Sequence, residues 1–208
     1  FIVSLVKYNN NSISAVTSTG LATGSLVPIK TLTASSSATL SFVHGTDGVV
    51  LDSTYPIYKF EFINIHPATN GANFTFNLSS DTGSNYNVTK TTTDFRAYHR
   101  EDNSQAVLSY DTSQDLAQST AFQNISESVG NNADDSTSGE LSIYNPSSTT
   151  FVKHFMSRFS DCHNNPMAMD YYMAGYGNTT SVVDAVQFKF SSGNIDSGKI
   201  KLYGIKDS

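Results

Sequence analysis

Period-two alternation of apolar and polar residues runs through this chain in short blocks, each closed by Gly, Asn, Asp, Ser or Pro. Such a pattern puts one face of each block toward a core and the other toward water, which is how a half-buried antiparallel strand is written. Thr31 to Val43 ends with Leu40 and Phe42 on one face. Tyr58-Lys59-Phe60-Glu61-Phe62-Ile63-Asn64-Ile65 is the longest alternating run, and it stops at His66-Pro67, where the ring nitrogen cannot donate to a ladder. Phe74, Phe76 and Leu78 alternate up to a turn at Ser80–Ser84, and Tyr86 to Thr91 is expected to return as the second strand of that hairpin.

The second half repeats the style. Leu141, Ile143 and Tyr144 form a short strand closed by Asn145-Pro146, and Phe151, Phe155 and Phe159 share one side of the next with Lys153 and Ser157. Met169 to Tyr176 reads as a further strand. Val186, Phe188 and Phe190 lead through a turn at Ser191–Asn194 to Ile200, Leu202 and Gly204. Gly193-Asn194 supplies a tight turn, and Gly198 is expected to let the chain reverse again.

Eight or nine strands at this spacing bury their apolar faces only against a second sheet. The expected fold is therefore all-β, an antiparallel β-sandwich of jelly-roll type. One interruption stands near 113–129, where Leu116, Phe122, Ile125 and Val129 make a weak helical stripe with Ser113 as a cap. The poor helix formers Thr120, Ser126 and Ser128 leave an irregular loop as the equal alternative. Residues 1–30 are expected to be an N-terminal arm and edge strand, and 31–208 a single sandwich domain. Phe1-Ile2-Val3-Ser4-Leu5-Val6 is too short, and lacks the preceding basic run, to be a membrane span or a signal peptide.

Composition narrows the function. Ser, Thr and Asn make up about a third of the chain, charged residues only 14%, and the net charge is −6. With no basic stripe, nucleic acid and anionic membrane are not expected partners. The 13 Phe and 11 Tyr supply the area for a packed core. Cys162 has no second cysteine to pair with.

No constellation compels catalysis. The carboxylate pairs Glu101-Asp102 and Asp134-Asp135 lie in loop-like surroundings, where acids are ordinarily solvated. His154, Asp161, Cys162 and His163 lack the spacing of a zinc site, and the expectation there is a buried thiol beside an exposed imidazole. The oxygen-rich groups Asp81, Asn85, Asn87 and Asn131, Asn132, Asp134, Asp135 match no calcium loop. Neither a nucleophile elbow nor a phosphate-binding glycine loop is present. No catalytic, cofactor-binding or metal-binding residue is expected. The six N-x-[ST] sequons follow from composition, and the run Asp170-Tyr171-Tyr172-Met173-Ala174-Gly175-Tyr176 serves either core packing or sugar stacking.

The block from Asp184 to Ile205, containing Ser191-Ser192-Gly193-Asn194-Ile195-Asp196-Ser197-Gly198-Lys199-Ile200-Lys201-Leu202-Tyr203-Gly204-Ile205, resembles an ending shared by structural proteins of marine tailed bacteriophages. Tyr58–Phe62, Asn64–Thr69, Ser80–Tyr86 and Ser138–Pro146 extend the resemblance over most of the chain. It implies a non-enzymatic, β-rich component of the virion surface, made in the host cytoplasm, with no cofactor. The expected role is capsid decoration or cement, with tail-fibre or tail-associated glycan adhesion as the alternative. Expected partners are the major capsid protein or tail proteins, further copies of the chain in a homo-oligomer such as a trimer, and, for the alternative, a host glycan.

Overall fold

A computed structural model describes residues 25–207. Among them stand twelve strands and no helix. They are β1 (Leu26–Thr33), β2 (Leu40–Val43), β3 (Ile57–Pro67), β4 (Ala72–Ser79), β5 (Lys90–Arg100), β6 (Ala106–Tyr110), β7 (Gln123–Val129), β8 (Thr137–Tyr144), β9 (Lys153–Cys162), β10 (Met167–Gly177), β11 (Ala185–Phe190) and β12 (Ile195–Ile205). They form two antiparallel sheets packed as a sandwich, ordered β1-β12-β3-β8-β9-β10-β5-β6 and β2-β11-β4-β7.

That order is a jelly roll with two insertions. Strand pairs β1·β12, β2·β11, β3·β8 and β4·β7 nest inside one another, as in a long hairpin rolled up, and alternate between the two sheets. The hairpins β5–β6 and β9–β10 are spliced in after β4 and after β8. They join each other through β10·β5 and extend the larger sheet by four strands.

Between the sheets lies a core of phenylalanines. Phe62 centres it, 4.9 Å from Phe159, 5.0 Å from Phe188 and 5.6 Å from Phe74, ring centroid to centroid. Phe42 and Phe60 meet edge to face at 5.2 Å. Such contacts add about 0.5–1.5 kcal/mol each beyond area burial. The period-two spacing delivers these rings, because every second residue of β3, β4, β9 and β11 points inward.

Several expectations are corrected. Gln123–Val129 is strand β7, not helix, and the segment before it is loop, tied to β5 by Thr92 N–Leu116 O at 2.9 Å and Lys90 N–Ser119 O at 2.8 Å. One of the polar residues that spoil a helix there, Ser126, is an inward partner in the sheet, its Oγ donating to Asp161 Oδ2 at 2.7 Å. Tyr86–Thr91 touches β4 only through Val88 N–Leu78 O at 3.3 Å and Asn77 Nδ2–Tyr86 O at 2.6 Å and does not form a strand beside it. The strand begins only at Lys90 and crosses to the other sheet, while β4 pairs with β11 and β7.

Thr31 to Val43 contains two strands in different sheets, with β1 running across the expected boundary at residue 30. Phe151 is exposed in the loop ahead of β9, whereas Lys153, Phe155, Ser157 and Phe159 point inward. Gly198 does not reverse the chain. It lies inside β12 at a register shift, with φ of 120° and the backbone of Asn64 and Ile65 too close for a side chain. The expected arm at Phe1–Val6 falls outside the described residues.

Candidate functional site

The outer face of the eight-stranded sheet carries a row of paired residues running nearly its whole width. Register places Lys201 beside Glu61, then Glu140, Arg158, Tyr172, Phe95 and Tyr110. The half on the jelly-roll strands β12, β3 and β8 is charged. The half on the inserted strands β10, β5 and β6 is aromatic.

The side chains in this row hold one another. Phe95 and Tyr172 stack at 4.7 Å with only 6° between ring planes, and the Arg158 guanidinium lies over the other side of Tyr172 at 4.9 Å. Asp170 grips Arg158 through both oxygens, at 3.0 Å from Nε and 2.7 Å from the terminal nitrogen, and accepts from the Tyr172 hydroxyl at 3.0 Å. The guanidinium keeps the Asp170 carboxyl below the usual carboxylate range, while Asp170 raises Arg158 further. Lys59 salts Glu140 at 2.7 Å, which raises its own pKa.

On either side of this ridge the sheet is hollow, because the outward side chains are small. A trough of about 1040 Å³ lies between Ile63 on β3 and Leu108 on β6. Ala97, Ala168, Ser138 and Ser160 line its floor, and Arg158, Asp170, Glu140 and His99 supply polar groups. A second hollow of about 420 Å³, lined by Thr91, Thr93, Met156, Ala174 and Tyr176, lies on the far side. The arrangement offers ring faces, hydroxyls and one fixed guanidinium–carboxylate pair to a broad ligand, with the floor open to solvent.

The sequence-derived candidates are mostly scattered away from it. Glu101 and Asp102 are exposed at the β5–β6 turn, where Asp102 caps the Ser104 amide at 2.9 Å. Asp134 is exposed, but Asp135 is not solvated as expected. It is buried, accepts from Asn132 and from the Cys162 thiol at 2.9 Å, and sits below its ordinary pKa because of that thiol bond. The expected thiol and imidazole exposures are reversed, His163 being buried and Cys162 half-buried. His154 faces outward beside Tyr176, far along the strand from both.

Among the described residues no cluster of three or more His, Cys, Asp or Glu is arranged to hold a metal. Asp81 bonds Asn85 and Ser79 within its own turn. The tyrosine run divides by strand alternation, Tyr171 going into the core and Tyr172 onto the ridge. Asn77, one of the sequons, is fully buried.

No family model, curated protein or solved structure matches this chain. Sequence reasoning missed Phe95 and Arg158, which stand far from the Asp170–Tyr176 run in the chain and meet it only through the β9–β10–β5 register. The signal that was present is the alternation Asp170-Tyr171-Tyr172, which requires one tyrosine to face out.

Beneath the ridge the inserted strands hide a second polar group. Arg96 points inward to Asp111 at 2.9 Å and to Glu127, and Gln114 also donates to Glu127 at 3.3 Å. Asp94 is fully buried close to the Tyr171 hydroxyl, outside good hydrogen-bonding geometry, and burial pushes its carboxyl up to about 7. Asp161 is likewise pushed up to about 7 by burial. These groups fix how the loop after β6 and strand β7 cover the inserted hairpins.

Proposed function

We propose that this protein is a non-enzymatic structural component of a bacteriophage virion, a decoration or cement protein that binds the capsid through the outer face of its larger sheet. The observation that carries this reading is where the exposed apolar surface lies. Of the eight large apolar side chains left exposed among the described residues, Ile63, Phe95, Leu108, Tyr110 and Met156 stand on that face, and all of these but Ile63 on the inserted strands. The inserted strands β9 and β10 already send Phe155, Phe159, Met169 and Tyr171 into the core, so the apolar side chains on the opposite face are surplus to that packing and suit a partner.

The size is suitable. Eight strands about 4.8 Å apart and about nine residues long on average present about 1000–1200 Å², enough for one partner's share of a standard protein–protein interface. The resemblance of the Asp184–Ile205 ending to marine phage structural proteins supplies the kind of partner.

Quantitative mass spectrometry of purified virions tests the proposal. A copy number in a ratio fixed by the icosahedral lattice relative to the major capsid protein supports decoration. A few copies per particle moves the protein to the tail, and absence from virions refutes the reading.

The trough favours one second reading, adhesion to a host glycan. The exposed Phe95 ring, held in place by its stack on Tyr172, and the Arg158–Asp170 fork are the kinds of group that stack on a pyranose ring and bond its hydroxyls. Binding to a sugar array at millimolar concentration, lost in Tyr172→Ala, supports that reading, and no binding removes it.

A further inference from the structure

Four strands end the two sheets, and three of them are guarded against pairing. Strand β1 carries Pro28, Lys30 and a register shift between them. Strand β2 has only four residues. Strand β7 is bent by two register shifts and a positive φ at Ser128, and Val129 bridges to His163. These are the usual devices that stop a sheet edge from recruiting another strand.

Strand β6 has none of them. Ala106-Val107-Leu108-Ser109-Tyr110 contains no proline, glycine or charge, and it pairs with β5 without a shift. The amide of Arg100 donates to Gln105 O at 2.9 Å and that of Asp111 to Asp94 O at 3.0 Å, so the odd-numbered positions face β5. The N–H and C=O groups of Ala106, Leu108 and Tyr110 therefore point away from the sheet. They are the free edge.

We infer that β6 pairs with β6 of a second copy of this chain, antiparallel about a two-fold axis at Leu108, to make one continuous sixteen-stranded sheet. The register is self-complementary. Leu108 meets its own counterpart in a hydrogen-bonded pair, Ala106 meets Tyr110 of the other copy, and all six outward backbone groups find partners in six hydrogen bonds. Side chains agree with it: the large exposed Tyr110 falls beside the small Ala106, and no charge in β6 opposes another. The same operation sets the two outer faces side by side, so the aromatic ends of the two ridges meet at the axis. This inference stands whether or not the virion reading does.

A five-residue strand gives less contact than a standard interface, so the dimer forms with rising concentration. Sedimentation equilibrium of the full chain from about 10 μM to about 1 mM is expected to show monomer passing to dimer. Leu108 is 73% exposed, so Leu108→Lys keeps the fold and is expected to weaken association at least about tenfold. Leu108→Pro removes an outward donor without touching the β5 ladder and acts in the same direction. Leu108→Cys is expected to form an intermolecular disulfide under mild oxidation, because hydrogen-bonded partners stand about 5.5 Å apart at Cα. A chain that stays monomeric at about 1 mM, or that associates equally well as Leu108→Lys, overturns the inference, as does a trimer.

Discussion

Asp161 gives the sharpest test of how the inserted hairpins are held. Its carboxyl is buried between β9 and β7, one oxygen accepting from Ser126 and the other without a partner. Burial outweighs the help from Ser126 and Arg96 and holds its proton up to about pH 7, against 3.8 for an ordinary aspartate. A carboxyl whose folded pKa is raised stabilises the fold relative to its ionised form. That contribution is complete below the unfolded value and is lost as pH rises toward 7. The difference corresponds to about 4 kcal/mol at most, and relaxation around the ionised group brings it to about 2. Asp94, pushed up to about 7 in the same way, acts in the same window, and His163, whose pKa is lowered by burial, acts against them. Carboxylates held low, such as Asp52 and Asp170, change charge only below that window. Asp161→Asn keeps the shape and the acceptor for Ser126 but does not titrate. Urea unfolding between pH 4.5 and 8, followed by circular dichroism since the chain has no tryptophan, is expected to show a fall in parent stability that the variant reduces by about 2–3 kcal/mol. Parallel curves for parent and variant would refute the reasoning.

Phe62→Ala, which empties the centre of the phenylalanine cluster, is expected to lower unfolding free energy by about 3–5 kcal/mol in the same denaturation assay. The thiol of Cys162 is pushed up to about 11, chiefly by its bond to Asp135; at pH 8 it is expected to react with a disulfide reagent at least about tenfold more slowly than in the unfolded chain, and Asp135→Asn restores much of the rate. Phe95→Ser removes a ring that is 42% exposed but stacked on Tyr172 and is expected to lower the unfolding free energy by only about 1–2 kcal/mol while, if the proposed capsid role holds, reducing the protein's occupancy on virions.

Alternation made the jelly-roll strands legible because it is a local property. Tyr58–Ile65, Phe74–Leu78 and Val186–Phe190 each declare a buried face within a few residues, and those faces meet as the phenylalanine core. The inserted hairpin β5–β6 was illegible for the same reason. Its inward residues Lys90, Thr92, Asp94 and Arg96 are polar, since they face a loop and a buried ionic group instead of the aromatic core, and its outward residues Phe95, Leu108 and Tyr110 are apolar. The hydrophobic pattern is there, but inverted, and an inverted strand cannot be told from a loop without its neighbours. The ridge was hidden more deeply, because Arg158, Tyr172 and Phe95 become adjacent only once the β9–β10–β5 register is known.

That inversion is itself the strongest physical argument about function. A strand that folds only to complete a core places apolar residues inward and polar ones outward, and Tyr58–Phe62 of β3 does so. Strands β5 and β6 accept the opposite arrangement, turning Asp94 and Arg96 inward, the first fully buried and the second half-buried, while leaving Phe95, Leu108 and Tyr110 in water. Both choices cost stability in an isolated chain, the first through desolvation and the second through forgone burial. Covering the outer face recovers the second cost, and pairing the β6 edge satisfies the free backbone groups beside it. The two surfaces adjoin on one pair of inserted strands, so an assembly that uses one is geometrically placed to use the other.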